Sequence, residues 1–123
     1  MKRDMDLVRK ILLAMEDCDS GFAPRNLEIE GYTAEMIGYH IFLMNEAGLI
    51  HASVVTCHGS KGPVALPLYM TWAGHDFLDA CRDEGLWQKA KNKIGEQVES
   101  APFDVIKMVL VKLIELQVLT TIT

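Results

Sequence analysis

Cysteine is scarce in this chain. Cys18, Cys57 and Cys81 are the three among 123 residues, an odd number without a C-x-x-C pair, which excludes a disulfide framework and reads as reduced thiols in the cytoplasm. Long apolar runs are missing too. Asp4, Asp6, Arg9, Lys10, Glu16 and Asp17 interrupt the opening segment, so no signal-peptide core is expected, and nothing approaches the ~20 uncharged apolar residues of a membrane span. Positive charge is absent from Asn26 through Ser60, where no Lys or Arg occurs. Nor is there a G-x-G-x-x-G, a P-loop, a G-x-S-x-G or an H-E-x-x-H. Without those arrangements of nucleophile, base or phosphate cradle, neither enzymatic activity nor a cofactor is expected.

What remains is the composition of a globular domain. Half the residues are hydrophobic and 24% are charged, enough apolar material for one core. Twelve Lys and Arg against 17 Asp and Glu give a net charge of -5, which offers phosphate backbones no overall attraction.

Periodicity divides the chain. Leu7, Val8, Ile11, Leu12 and Met15 recur at the helical period, predicting an amphipathic helix from about Asp4 to Asp17. In NLEIEG, Leu27 and Ile29 alternate with Glu28 and Glu30, the pattern of a short half-exposed strand. Thr33 can cap a second helix reaching Ala47, with Gly48 as its left-handed stop. Steps of 100° put Met36, Ile37, His40, Ile41, Leu43, Met44 and Ala47 on its core face and turn Tyr39 and Phe42 away. LIHASVVT and VALPLYMT read as a hairpin joined by CHGSKGP. Thr71 caps a helix from Trp72 to about Glu84, with Gly85 as its stop, and a further helix runs from about Leu86 to Val98. Ser100 and Pro102 open a last helix to about Leu119.

The order helix, short strand, helix ending NEAGLI, hairpin and Thr-capped helix TWAGHDFL resembles winged-helix domains. Leu43, Ala47, Gly48, Leu49 and Ile50 match one of their recurrent phrases, and Thr71, Gly74, Phe77 and Leu78 match another. One departure is that Gly31-Tyr32 leaves no room for the additional helix of an ordinary helix-turn-helix. More narrowly, MKRDMDLVRKIL, GYTAEMIGYHIFLMNEAGLI, TWAGHDFLDACRDEGLWQKAK and APFDVIK resemble the bacterial and prophage family called domain of unknown function 2513. That resemblance implies a small, phage-associated intracellular protein with no catalytic residues to carry over. The expected fold is α+β: a winged-helix-like core over 1–84 with C-terminal helices over 86–119, forming one domain over 1–123.

For function, the winged-helix resemblance raises a DNA-binding regulator as the alternative reading. Its recognition helix lacks the cations that release counterions and read guanine. Lys61 at the wing tip and Lys89, Lys91 and Lys93 are the candidate nucleic-acid contacts. Lys2, Arg3, Arg9, Lys10 and Arg82 could join them, although in an acidic chain ordinary solvated helix faces are the favoured account of such residues. His51, Cys57 and His58 cluster in sequence, and His75 with Asp79 has helical i, i+4 spacing, yet neither group supplies the four ligands of a structural zinc site. Asp76, Asp79 and Asp83 read as a solvated acidic face, and His40 as a hydrogen-bonded core histidine.

The remaining reading is a non-enzymatic interaction or regulatory module. Twelve of the seventeen residues from Phe103 to Leu119 are apolar, an arc wider than the roughly 100° that one core requires. A homodimer or other protein partner is therefore expected. Its candidate surface is Val109, Leu113 and Leu116, with Tyr39 and Phe42 as a second face.

Overall fold

A computed structural model describes residues 1–24, 26–55, 62–95 and 101–122. Its elements are α1 (Met5–Glu16), α2 (Ala34–Glu46), β1 (Ile50–Val55), β2 (Val64–Met70), α3 (Trp72–Cys81), α4 (Glu84–Ile94) and α5 (Phe103–Ile122). The class is α+β, with a helix, an irregular segment and a second helix leading into an antiparallel hairpin that the C-terminal helices follow.

Short polar side chains begin four of the helices. Asp4, Thr33, Thr71 and Asp83 accept the N–H of Leu7, Met36, Gly74 and Leu86 respectively, satisfying donors that have no partner within the helix. Gly48, at φ +78°, turns the chain from α2 into β1 in a conformation that a side chain would disfavour.

The core forms around α1. Leu7, Ile11 and Leu12 are fully buried, together with Ile37, Ile41 and Met44 from α2, Phe77, Leu78 and Cys81 from α3, Trp87 from α4, and Ile106 and Leu110 from α5. Ile50 and Ala65 close it from the hairpin. β1 and β2 pair from Ile50↔Met70 to Val55↔Val64, with an irregularity between His51 and Ala52 that leaves Leu68 unmatched. The Leu68 carbonyl accepts the N–H of Ala23 instead, at 2.8 Å. The hairpin loop over 56–61 lies outside the described residues. Gly74 sits where a Cβ would come within 2.0 Å of the Leu49 carbonyl oxygen, so close packing of α3 on the strand junction excludes any side chain.

Three expectations need correction. Leu27 to Glu30 keeps the alternation of half-buried and exposed residues but is not a strand, because among the described residues the sheet has two strands and neither pairs with it. The α3–α4 boundary falls at Arg82-Asp83, earlier than Gly85. Asp83 captures the Leu86 N–H, while the Arg9 guanidinium takes the carbonyls of Cys81 (2.7 Å) and Arg82 (2.8 Å). The end of α3 is thereby satisfied without a left-handed glycine, and Gly85 lies in the first turn of α4. Third, α4 ends at Ile94 rather than Val98, and residues 96–100 lie outside the described residues.

Candidate functional site

The basic side chains proposed for nucleic acid divide by what they touch. Lys91 donates to Asp6 Oδ1 at 2.9 Å and lies over the Trp87 ring. Trp87 Nε1 donates to the same oxygen at 2.7 Å. Burial pushes the Asp6 carboxyl upward, but these two hydrogen bonds and the charges of Lys91 and Lys10 outweigh it and hold the group below its ordinary value. Arg9 is buried in the α3–α4 corner and also pairs with Glu84 at 2.8 Å. Arg82 bridges Glu16 and Asp79. Arg3 donates to the Ala101 carbonyl, and Lys10 lies over the Tyr32 ring. Lys89 and Lys93 are exposed on α4, and Lys61 lies outside the described residues. Arg9, Arg82 and Lys91 therefore fasten helices together, and Arg3 ties the segments that lead into α1 and α5.

The face of α2 carrying Tyr39 and Phe42 is partly covered. Gly38 abuts Val64, Asn45 Oδ1 accepts the Ala52 N–H at 2.9 Å, and Phe42 packs against the core's edge. Tyr39 stacks on Phe42 with ring centroids 6.5 Å apart and remains half-buried. A second layer, the hairpin, thus occupies much of the helix face that the wheel turns outward. His40 is fully buried. Its Nε2 accepts the Asp4 N–H at 2.8 Å, so the ring proton sits on Nδ1, 2.8 Å from the Met36 carbonyl it donates to.

Histidines and carboxylates are dispersed. His51 packs on Tyr69, Asp79 serves Arg82, Asp83 caps α4, and Asp76 is exposed. Cys57 and His58 lie outside the described residues. Among the described residues, no three His, Cys, Asp or Glu side chains are grouped to hold a metal ion.

The helix α5 packs against α3 and α4 along one side. Ile106 and Leu110 are fully buried, while Phe103, Val109, Leu113 and Ile114 are partly buried against the same core. The proposed surface of Val109, Leu113 and Leu116 is therefore divided: the first two join the body and Leu116 is 60% exposed. The outward side instead presents Val105, Met108 and Val111, and beyond Glu115 no described residue is buried. No helix among the described residues is long and apolar enough to cross a membrane.

A sequence profile of the hypothetical proteins designated DUF2513 matches residues 2–100. The chain belongs to this family. An uncharacterised protein of Haemophilus influenzae is 35% identical over 112 residues, which covers 89% of this chain and 92% of the relative. No solved structure matches. The family match spans α1 to α4 and ends before α5.

One surface of this DUF2513 member escaped the reading of its sequence. Phe22 is 69% exposed and Tyr69 42%, and both line a cavity with Met15, Met70 and His75; Trp72, 84% exposed, lies three residues before His75 on α3. A signal was available. Nine steps of 100° place Trp72 opposite Cys81 on the α3 wheel, away from the core.

Proposed function

We propose that the protein is a non-enzymatic, cytoplasmic interaction module with a winged-helix-like body, phage-associated in origin and acting as a homodimer joined through α5. The outward side of that helix carries the proposal. Val105, Met108, Val111, Leu116 and Val118 are each 38% to 60% exposed, an apolar surface on the order of several hundred Å², the size that marks interaction sites on monomers. Lys112 and Glu115, an i, i+3 pair at 3.6 Å, lie among them. Two copies crossing antiparallel near these residues bring each lysine toward the other copy's glutamate, an arrangement that a two-fold axis permits.

Sedimentation tests this reading. The wild type is expected to be dimeric at about 100 μM, and the Met108→Glu, Leu116→Glu double variant a folded monomer with an unchanged circular dichroism spectrum. A wild-type monomer at that concentration, far above the dissociation constants of stable interfaces, overturns it. DNA-binding regulation has less support. The exposed charged residues of α2 are Glu35 and Glu46, and Arg9, Arg82 and Lys91 are engaged with helix partners while Arg3 bonds the Ala101 carbonyl.

A further inference from the structure

The hairpin, the turn after α1 and the start of α3 together build a second surface, separate from α5. Its cavity, about 420 Å³, is lined by Met15, Met70, Phe22, Tyr69, Glu16 and His75 among others. The aromatic side chains are held outward by fixed backbone. Ser20 Oγ accepts the Phe22 N–H at 3.2 Å, the Ala23 N–H is tied to Leu68, and Trp72 directly follows the Thr71 cap. Positions ordered in this way lose little entropy on binding, and exposed Trp, Tyr and Phe are the residues that anchor protein interfaces.

Charge narrows the choice of occupant. Arg82 bonds both Glu16 and Asp79. Asp17, Asp19 and Asp76 are exposed, and each is adjacent in sequence to a residue lining the cavity. Stacking aromatics alone would also suit a single-stranded nucleic acid, but exposed carboxylates next to the lining residues repel phosphates. We infer that this surface docks a segment of a protein partner that inserts one large apolar side chain between Phe22 and Tyr69 and sets flanking Lys or Arg toward the exposed Asp17, Asp19 and Asp76. The inference rests on the reading of the protein as an interaction module but not on the dimer.

The test is selection of random twelve-residue peptides on the full-length protein, followed by titration of individual winners. Trp72 is the reporter, because Trp87 is only 1% exposed. Winners are expected to combine an aromatic or large aliphatic residue with neighbouring Lys or Arg and to shift Trp72 emission to shorter wavelength. Phe22→Ala and Tyr69→Ala should each weaken binding about tenfold or more, as anchor residues do. Reversing Asp17, Asp19 and Asp76 to Lys should weaken it by a similar factor at low salt and much less at high salt. Phe22 is largely exposed, so an unchanged thermal midpoint for Phe22→Ala separates lost binding from lost folding.

Three outcomes overturn the inference. They are winners whose affinity ignores Phe22 and Tyr69, acidic or uncharged winners that bind equally well, and a Trp72 shift that grows with protein concentration alone, which would make the occupant a second copy. The Met108→Glu, Leu116→Glu variant should bind the winning peptides with wild-type affinity. Failure of the dimer and failure of this surface are thereby read separately.

Discussion

Asp4 donates its backbone N–H to Nε2 of His40 across 2.8 Å, and its carboxylate caps the helix α1. One residue thus starts α1 and fastens it to α2. His40→Leu should leave that N–H without a partner and lower stability by about 1–3 kcal/mol, seen as a lower urea midpoint at unchanged slope.

Asp6, Glu16 and Glu84 give acid sensitivity a definite sign. Burial raises the Asp6 carboxyl less than Trp87 and Lys91 lower it, Arg82 holds Glu16 down through its hydrogen bonds, and Gln88 and then Arg9 do so for Glu84. Each folded value lies below the unfolded one. The unfolded chain therefore takes up protons first as pH falls, and stability from these groups, fully present near neutrality, should decline below about pH 5. Trp87→Phe, which removes a donor to Asp6, should cost about 1–2 kcal/mol near neutral pH and less in acid. Denaturation at a series of pH values measures both effects.

Gly74 and Gly48 should respond differently to alanine. At Gly74 the new Cβ meets the Leu49 carbonyl oxygen, and backbone must move, at a cost of about 3 kcal/mol or more. Nothing crowds Gly48, whose φ of +78° alone opposes a side chain; about 1–2 kcal/mol is expected there. Thermal or urea unfolding of the two variants reads the ordering.

Along α5 the same truncation should divide by face. Leu110→Ala removes fully buried volume and should cost about 2–5 kcal/mol, whereas Leu116→Ala should change monomer stability by less than about 0.5 kcal/mol. Denaturation below the dimer's dissociation range tests this.

Cys81 is fully buried, and burial pushes its thiol up to about 11. Iodoacetamide at about pH 8, near the ordinary range of a cysteine thiol, should leave Cys81 unmodified in the native protein and modify it in urea. Peptide mass mapping distinguishes the states.

Much of the fold was legible because local signals agreed with one another. Thr33 and Thr71 lie at the helix starts they suggest, Gly48 ends α2, and the apolar period of α1 identifies its buried side. The errors arose where a distant partner substituted for a local signal. Gly85 looked like a helix stop, but the stop is Asp83 with Arg9, which is 72 residues from Cys81 in sequence. Leu27 and Ile29 alternate as a strand does, yet alternation reports burial and cannot supply a pairing edge. The aromatic surface was illegible for a related reason. Phe22, Tyr69 and Trp72 come from a turn, a strand and a helix, and no periodicity within one element brings them together.

Arg9 also bears on whether the chain can be divided. Its guanidinium, from the first helix, completes the corner between α3 and α4, so a fragment beginning at Trp72 has those carbonyls without their donor and Phe77 and Leu78 without α1. Cutting the gene at the hairpin should yield two pieces that are unstructured apart. Mixed together, they should recover helicity, making the protein a candidate for a split reporter whose halves recognise each other through the α1 core face, the buried Arg9 and the Asp6 and Glu16 ion pairs.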